Sequence, residues 1–311
     1  MPMRLAGTCP RRGAAGIAAL LLAAVSPPAA WAQQDAATHT WSVAPYFGMN
    51  QPKLDDLNEG EFQAPYEGGA QFVDPVANNT DGTFSYNTPV APFNPGTLTG
   101  LEFQWRLNDK HSFLIGGSTW QATSTSASTG LFPIQGAFEV VNAQRKVNLS
   151  YNEFFLGWRY NLFARPKTYR FYVSATLHHL YDIDYREDFT GVFLSGDIRQ
   201  FRKSLIIRAQ TTGLPLLEGA AGGEWFLTDW LALGIEGGYD IGLKEVELEG
   251  VGRTPVTSDF LATDNVQVRP PMVMDLTTRH MTHKSVPGGD YEVTRLDFSG
   301  WRLVMKATIY F

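Results

Sequence analysis

Apolar and polar residues alternate one for one along eight short segments of the chain, the period of a β-strand with one apolar face. In the last segment Trp301, Leu303, Met305, Ala307, Ile309 and Phe311 alternate with Arg302, Val304, Lys306, Thr308 and Tyr310. Leu231, Leu233, Ile235, Gly237, Tyr239 and Ile241 alternate in the same way with Ala232, Gly234, Glu236, Gly238 and Asp240. Similar runs cover 100–107, 153–162, 170–185 and 217–225, and two less regular ones cover 39–50 and 111–123. In 111–123 the pattern leaves both faces open.

The connections separate a membrane barrel from a soluble sandwich. Links at Asn108–Lys110, Phe163–Lys167 and Thr228–Asp229 are short, whereas 51–96, 124–146, 187–202 and 243–292 are long. Strict alternation of short and long links predicts an up-and-down antiparallel transmembrane β-barrel, with tight periplasmic turns and long extracellular loops. Eight strands are expected. Ten follow if Glu245–Val251 and Val266–Arg269 pair as a further hairpin. Leu149 and Tyr151 switch the apolar parity between Asn148 and Asn152, which predicts a bulge. Pro215 predicts a break in the upper part of the sixth strand, because it cannot donate to the ladder.

Composition agrees: the chain is 44% hydrophobic and 13% aromatic but only 18% charged, and its body has no apolar run long enough for a membrane helix. The longest apolar run, Ala14–Val25, follows Arg4, Arg11 and Arg12 and precedes Ala30-Trp31-Ala32. Residues 1–32 therefore read as a secretory signal peptide cleaved after Ala32, and 33–311 as the barrel. Cys9 precedes the apolar run and would leave with it, so neither disulfides nor a cysteine-based zinc site are expected. Loss of the three arginines takes the formal charge from −6 to −9. Such a balance argues against nucleic acid as a partner.

Aromatic residues mark both membrane edges. Trp41, Trp105, Trp158, Trp225, Trp230, Phe171 and Phe311 fall at short-turn ends, while Phe47, Trp120, Tyr181, Tyr185 and Tyr239 fall toward the long loops. Together with the strand rhythm and the terminal Phe311, this resembles the small bacterial outer-membrane β-barrels of the outer-membrane protein A and W kind. The resemblance implies a Gram-negative outer membrane with lipid and lipopolysaccharide as surroundings. It also implies that Met305, Ala307, Ile309 and Phe311 form the signal read by the barrel-assembly machinery.

Strand parity sends Glu102, Glu153, Glu218, Glu224, Glu236 and Asp240 into the bore, with Arg106, Arg159, Arg170, Arg302 and Lys306. Paired, they would form a plug; unpaired, each would be costly. Ala220, Gly222, Ala232, Gly234 and Gly238 would make room for Phe155, Tyr172 and the arginines.

Barrels of this size can also hydrolyse substrates at the outer rim. Asp182 and Asp184 are placed by parity on an inward face there, and His178, His280 or His283 could partner them; no Asp-x-His step supports that chemistry. His178 and His179 straddle the strand and cannot share a ligand. His283-Lys284-Ser285 has the spacing of a serine nucleophile and its base, but sits in a long loop. His280 and His283 lack the frame of a metal site, and the loop-one acids Asp55, Asp56, Glu59, Glu61, Glu67, Asp74 and Asp81 lack a calcium-loop spacing. No cofactor or metal is therefore expected. A structural or surface-interaction barrel is the leading expectation, with a surface ligand or partner protein at the loops. A narrow passive channel and a rim hydrolase are the alternatives.

Overall fold

The computed structural model describes residues 39–64, 66–70, 82–86, 89–134, 137–165, 168–194, 202–252, 254–256, 266–286 and 289–311. The expected signal peptide, Cys9, Asp74 and Asp81 lie outside the described residues.

Among the described residues there are nine main strands, eight on the alternating segments and one, Arg202–Thr211, outside them. They are β1 (Trp41–Pro52), β2 (Gly96–Arg106), β3 (His111–Ile134), β4 (Ala137–Arg165), β5 (Tyr169–Phe193), β6 (Arg202–Thr211), β7 (Leu214–Phe226), β8 (Leu231–Gly242) and β9 (Gly300–Tyr310). All neighbours are antiparallel, and β1 pairs with β9 from Ser42↔Tyr310 to Pro52↔Gly300. That pairing closes a ring of eight, β1-β2-β3-β4-β5-β7-β8-β9. Closure leaves no backbone edge in lipid, the condition for a sheet that spans a membrane.

β6 continues β7 upward. The lower part of β5 pairs with β7 as far as Leu180↔Leu214, and its upper part pairs with β6 from Ile183↔Thr211. The expected break in the sixth strand falls at Thr212–Gly213, just before Pro215, where Gly213 takes a φ of +56°. The bulge expected between Asn148 and Asn152 falls on the partner strand instead: β4 keeps its parity, with Leu149, Tyr151 and Glu153 all buried, while the β4–β5 register shifts between Ser150 and Asn152. The extra residue lies on β5, where Asp182 has a φ of +51°.

The outer wall changes chemistry at that height. Below it the exposed side chains are mostly apolar, as with Leu156, Trp158, Phe171, Leu177, Leu303 and Met305, with His179 an exception. Above it Thr119 donates to Asn152 and Thr123 to Asn148, each at 2.9 Å. On β5 the apolar band runs from Phe171 to Tyr181, about the 9 to 11 residues that a tilted strand needs to cross a bilayer. Trp41 stacks on Trp105 at the lower edge, with ring centroids 5.4 Å apart, and Trp158, Trp225 and Trp230 are exposed at the same edge.

Strands β3, β4 and β5 run far beyond the band. The expected loop 124–146 is instead a hairpin, paired from Ser124↔Val147 to Ile134↔Ala137. The segment after 187 likewise stays in the sheet as far as Phe193. Above the membrane both strand faces meet protein or water, so the outward apolar residues that betray a lipid-facing strand vanish. Pairing goes on without them.

The remaining long segments fold over this raised wall. Asp56–Glu61 forms one π-helical turn. Val246–Glu247 pairs with Arg295–Leu296, Glu249–Gly250 with β6, and Val266–Arg269 with Tyr66–Ala70. The anticipated hairpin between Glu245–Val251 and Val266–Arg269 does not form, because each segment finds a longer-range partner; the ring keeps eight strands.

Candidate functional site

The bore holds a layered charge network. Lowest, Arg170 bonds Glu224 and the Tyr310 hydroxyl, and Glu224 also accepts from Thr308 Oγ1 at 3.0 Å. Next, Arg159 reaches Glu102 at 2.7 Å and Glu236 at 3.5 Å, and lies 4.0 Å above the Tyr172 ring centroid. Lys306 joins the same two carboxylates at 2.7 and 2.8 Å. Higher, Arg302 meets Glu153 at 2.8 Å, and His178 lies 2.8 Å from Glu218. All of these groups are buried.

Strand alternation explains the filling. Every second residue enters the bore, and small residues face the large ones. A Cβ added to Gly222 would lie 2.6 Å from the Tyr172 ring, and one on Gly116 would lie 2.5 Å from Phe155. A Cβ on Gly238 would meet the Glu218 carboxylate at 2.5 Å. The parity reading thus places Gly222 against Tyr172 as expected, while Phe155 is accommodated by Gly116 instead.

Above the charged layers the core turns apolar. Trp120 is fully buried, donates from Nε1 to Asn50 O at 2.9 Å and stacks on Tyr151 at 4.9 Å. Leu54, Leu57, Phe62, Val147, Ile183, Leu248, Met281 and Phe298 continue this cluster upward. Loop residues and wall residues therefore share one core outside the membrane.

That core contains a second ion cluster. Arg145 of β4 bonds both Glu61 of the π-helical turn and Glu187 of β5. Tyr66 Oη donates to Glu187 at 2.6 Å and Tyr185 Oη donates to it at 2.9 Å. Burial, with Glu187 beside it, holds the Glu61 carboxyl well above the ordinary carboxylate range. Glu187 moves the other way: despite burial, Arg145 and the donors around it hold its carboxyl below that range. The cluster fastens the first loop to the wall.

Several expected placements change. Asp182 and Asp184 are exposed on the outer surface, because the bulge at Asp182 reverses the parity of β5: Leu180 is buried, but so are Ile183 and Tyr185. His178 points into the bore and His179 outward, so neither aspartate meets His178 inside the barrel. Tyr185 and Trp120 are interior residues and not part of the outer girdle, the first through the same reversal and the second because its indole caps the polar layers. Arg106 sits at the lower mouth beside Asp109 of the turn, since its strand ends there. The other expected bore charges, Glu102, Glu153, Arg159, Arg170, Glu218, Glu224, Glu236, Asp240, Arg302 and Lys306, are all interior.

In the upper segment, Ser285 Oγ lies 3.5 Å from His283 Nε2, and His283 Nδ1 lies 3.2 Å from Thr294 Oγ1. Burial holds the His283 imidazole below its usual range. Its orienting partner is a hydroxyl, which cannot stabilise an imidazolium as a carboxylate does. His280 pairs with Glu247 at 2.8 Å. Beside these, Asp55, Asp56, Glu245, Glu292 and Asp297 line an open groove of about 520 Å³ with Arg295.

Sequence reading missed the Glu61, Arg145 and Glu187 cluster, although a signal existed. Arg145 interrupts an alternate apolar row of Val141, Ala143, Val147, Leu149 and Tyr151. An arginine buried in such a row requires a carboxylate partner.

No family model matches the chain, and no curated protein matches it. Among solved structures it is similar to the outer membrane protease OmpT from Escherichia coli, at 8% identity and a TM-score of 0.31, over 90% of this chain and 99% of that one. It is also similar to Ail, the attachment invasion locus protein of Yersinia pestis, at 9% identity and a TM-score of 0.22, over 86% of this chain and 98% of that one. A Pseudomonas aeruginosa FadL homologue matches at 10% identity and a TM-score of 0.19, over 86% and 89% of the two chains.

Proposed function

We propose that the protein is an outer-membrane barrel of a Gram-negative cell that conducts nothing and holds a rigid platform above the lipid for contact with lipopolysaccharide or a partner protein. The filled bore carries this reading. A cavity of about 10 Å³ among Tyr46, Phe155, His178 and Lys306 has room for roughly one water. Ion pairs close the axis at membrane height, and the apolar core closes it above. A channel would need a polar, water-filled path through both layers.

The raised strands support the platform role. Loops borne on a rigid scaffold are where surface proteins carry recognition. Here Leu54, Leu57, Phe62, Leu248, Met272, Met281 and Phe298 of the loops are packed into the core of the raised wall. The outward side chains Lys146, Arg186 and Arg208 stand on three adjacent strands just above the apolar band. Arg186 is held by Asp188 at 2.9 Å, so Lys146 and Arg208 are the cations on offer to lipopolysaccharide phosphate groups.

A photo-crosslinking residue placed at Arg208, Gln210 or Lys244 tests this on intact cells. A discrete adduct with lipopolysaccharide or with one protein is the expected result. Absence of any adduct at all three positions, from cells where the folded barrel is confirmed by its heat-dependent gel shift, would contradict the platform role.

A further inference from the structure

Glu218 of β7 and Asp240 of β8 lie directly opposite one another, both inside the bore. Opposed like charges repel, and burial strengthens the repulsion. Arg302 resolves it only in part. Its 2.8 Å contact is with Glu153, while Glu218 and Asp240 are 3.7 and 3.4 Å away. Glu218 Oε1, Asp240 Oδ1 and Asn50 Oδ1 are buried with no hydrogen-bond partner. Orphaned buried oxygens of this kind call for a missing donor or ion.

We propose that Glu218, Asp240 and His178 bind one divalent metal ion of the zinc class in the centre of the bore. One ligand atom from each residue lies within 4.8 Å of the other two, a span that ligand distances of about 2.0 to 2.2 Å close with small side-chain rotations. The histidine lies within reach of both carboxylates. Its Nε2 faces Glu218 Oε2 at 2.8 Å, and its Nδ1, buried without a hydrogen-bond partner, lies 3.3 Å from Glu153 Oε2. A small rotation that lets Nδ1 donate to Glu153 would present Nε2 to a metal, the usual outer-shell arrangement of a zinc-bound histidine. Thr176 Oγ1 donates to Glu218 Oε2 at 2.9 Å and fixes that ligand too.

Charge selects the valence. With Glu153 matched by Arg302 and any proton on His178 displaced by metal, Glu218 and Asp240 would present two negative charges, which a divalent ion balances. A mixed nitrogen and oxygen set favours zinc-like ions over calcium or magnesium, which prefer oxygen alone. The cavity of about 10 Å³ bordered by His178 and Glu218 can hold a water as a further ligand. Trp120 and Tyr151 above, and the Arg159 and Lys306 layer below, bury the site, so the ion is taken up during folding and then held.

The test is to refold the purified protein with zinc alone or with a chelator, remove free metal, and measure zinc by mass spectrometry alongside the heat-dependent gel shift. The expected result is about one zinc per chain, and a barrel that opens at higher temperature than the chelator-refolded one. His178→Gln and Asp240→Asn should each lose both effects while still giving the gel shift. Less than about a tenth of an equivalent in folded protein would overturn the proposal. So would identical heat stability with and without zinc, which would mean that protons carry the residual charge. Zinc retained in folded Asp240→Asn would also overturn it, pointing to the His280 and Glu247 pair at the surface. Should neither variant fold, zinc content and heat stability of the unaltered protein decide the matter alone.

Discussion

Arg145 illustrates how much one buried side chain can hold. It is fully buried and joins Glu61 of the first loop to Glu187 of the wall. Replacing it with methionine leaves two buried carboxylates without a cation, and should cost about 3 to 5 kcal/mol, read from urea unfolding in lipid. The pair it bridges sets opposite pH responses. Glu61, held above its unfolded value, contributes fully below the ordinary carboxylate range, and that contribution fades as pH rises through its folded pKa. Glu187, held below, contributes above the ordinary range and fades as pH falls through its folded pKa. Proteolysis of segment 54–66 should therefore accelerate toward both acid and alkaline pH, and Glu61→Gln should flatten the alkaline limb only. An unchanged alkaline limb in that variant would contradict the assignment.

Also at residue scale, Asp182 and Asp184 stand on the outer wall and share no interior cleft with His178. The double variant Asp182→Asn, Asp184→Asn should keep the gel shift and every hydrolytic or cellular phenotype of the parent. Loss of a hydrolytic activity in folded double variant would restore the rim-hydrolase reading.

At the scale of elements, the step at Asp182 and Thr212–Gly213 is the feature on which the two storeys turn. It reverses which residues of β5 face inward and lets β6 take over from β7. Asp182 and Gly213 both have positive φ, tolerable for aspartate and glycine but strained for β-branched residues. Asp182→Val should destabilise by roughly 1 to 2 kcal/mol, and Asp182→Gly should leave stability unchanged or slightly raised; the comparison isolates backbone strain from loss of the carboxylate. Equal effects in the two variants would show that the side chain, not the backbone, matters.

Legibility in the sequence follows the solvent at each height. Within the bilayer, lipid outside and polar filling inside force strict alternation, so the strands and ten interior charges could be read directly. Above it the outer wall carries Thr119, Thr123, Lys146 and Asn148, and the inner row carries Val147 and Leu149. That pattern belongs equally to a loop or a soluble sheet, which is why 124–146 read as a loop. A tryptophan near a membrane edge suits the interface, which is where the sequence places Trp120, while a hydrogen bond to Asn50 O holds it inside. Asp182 and Asp184 face outward, against their sequence parity, because a single inserted residue reverses all later parity, and only a long-range register reveals it.

At the scale of the whole molecule, the barrel is a two-storey column. The lower storey spans lipid around ion pairs, and the upper one is a water-facing β-structure closed by an apolar core. Each blocks the axis independently. Opening the lower storey alone should not make a pore: Arg159→Ala should weaken the fold by about 3 kcal/mol or more through its orphaned carboxylates, yet leave the column closed above.

The most direct measurement is single-channel recording in a planar bilayer, on refolded protein whose closure is verified by the heat-dependent gel shift. The closed column predicts no steady conductance over the ordinary voltage range, for the parent and for Arg159→Ala alike. A stable, ion-selective conductance that changes when Glu236 or Arg302 is neutralised would contradict it and return the bore to the centre of the protein's function.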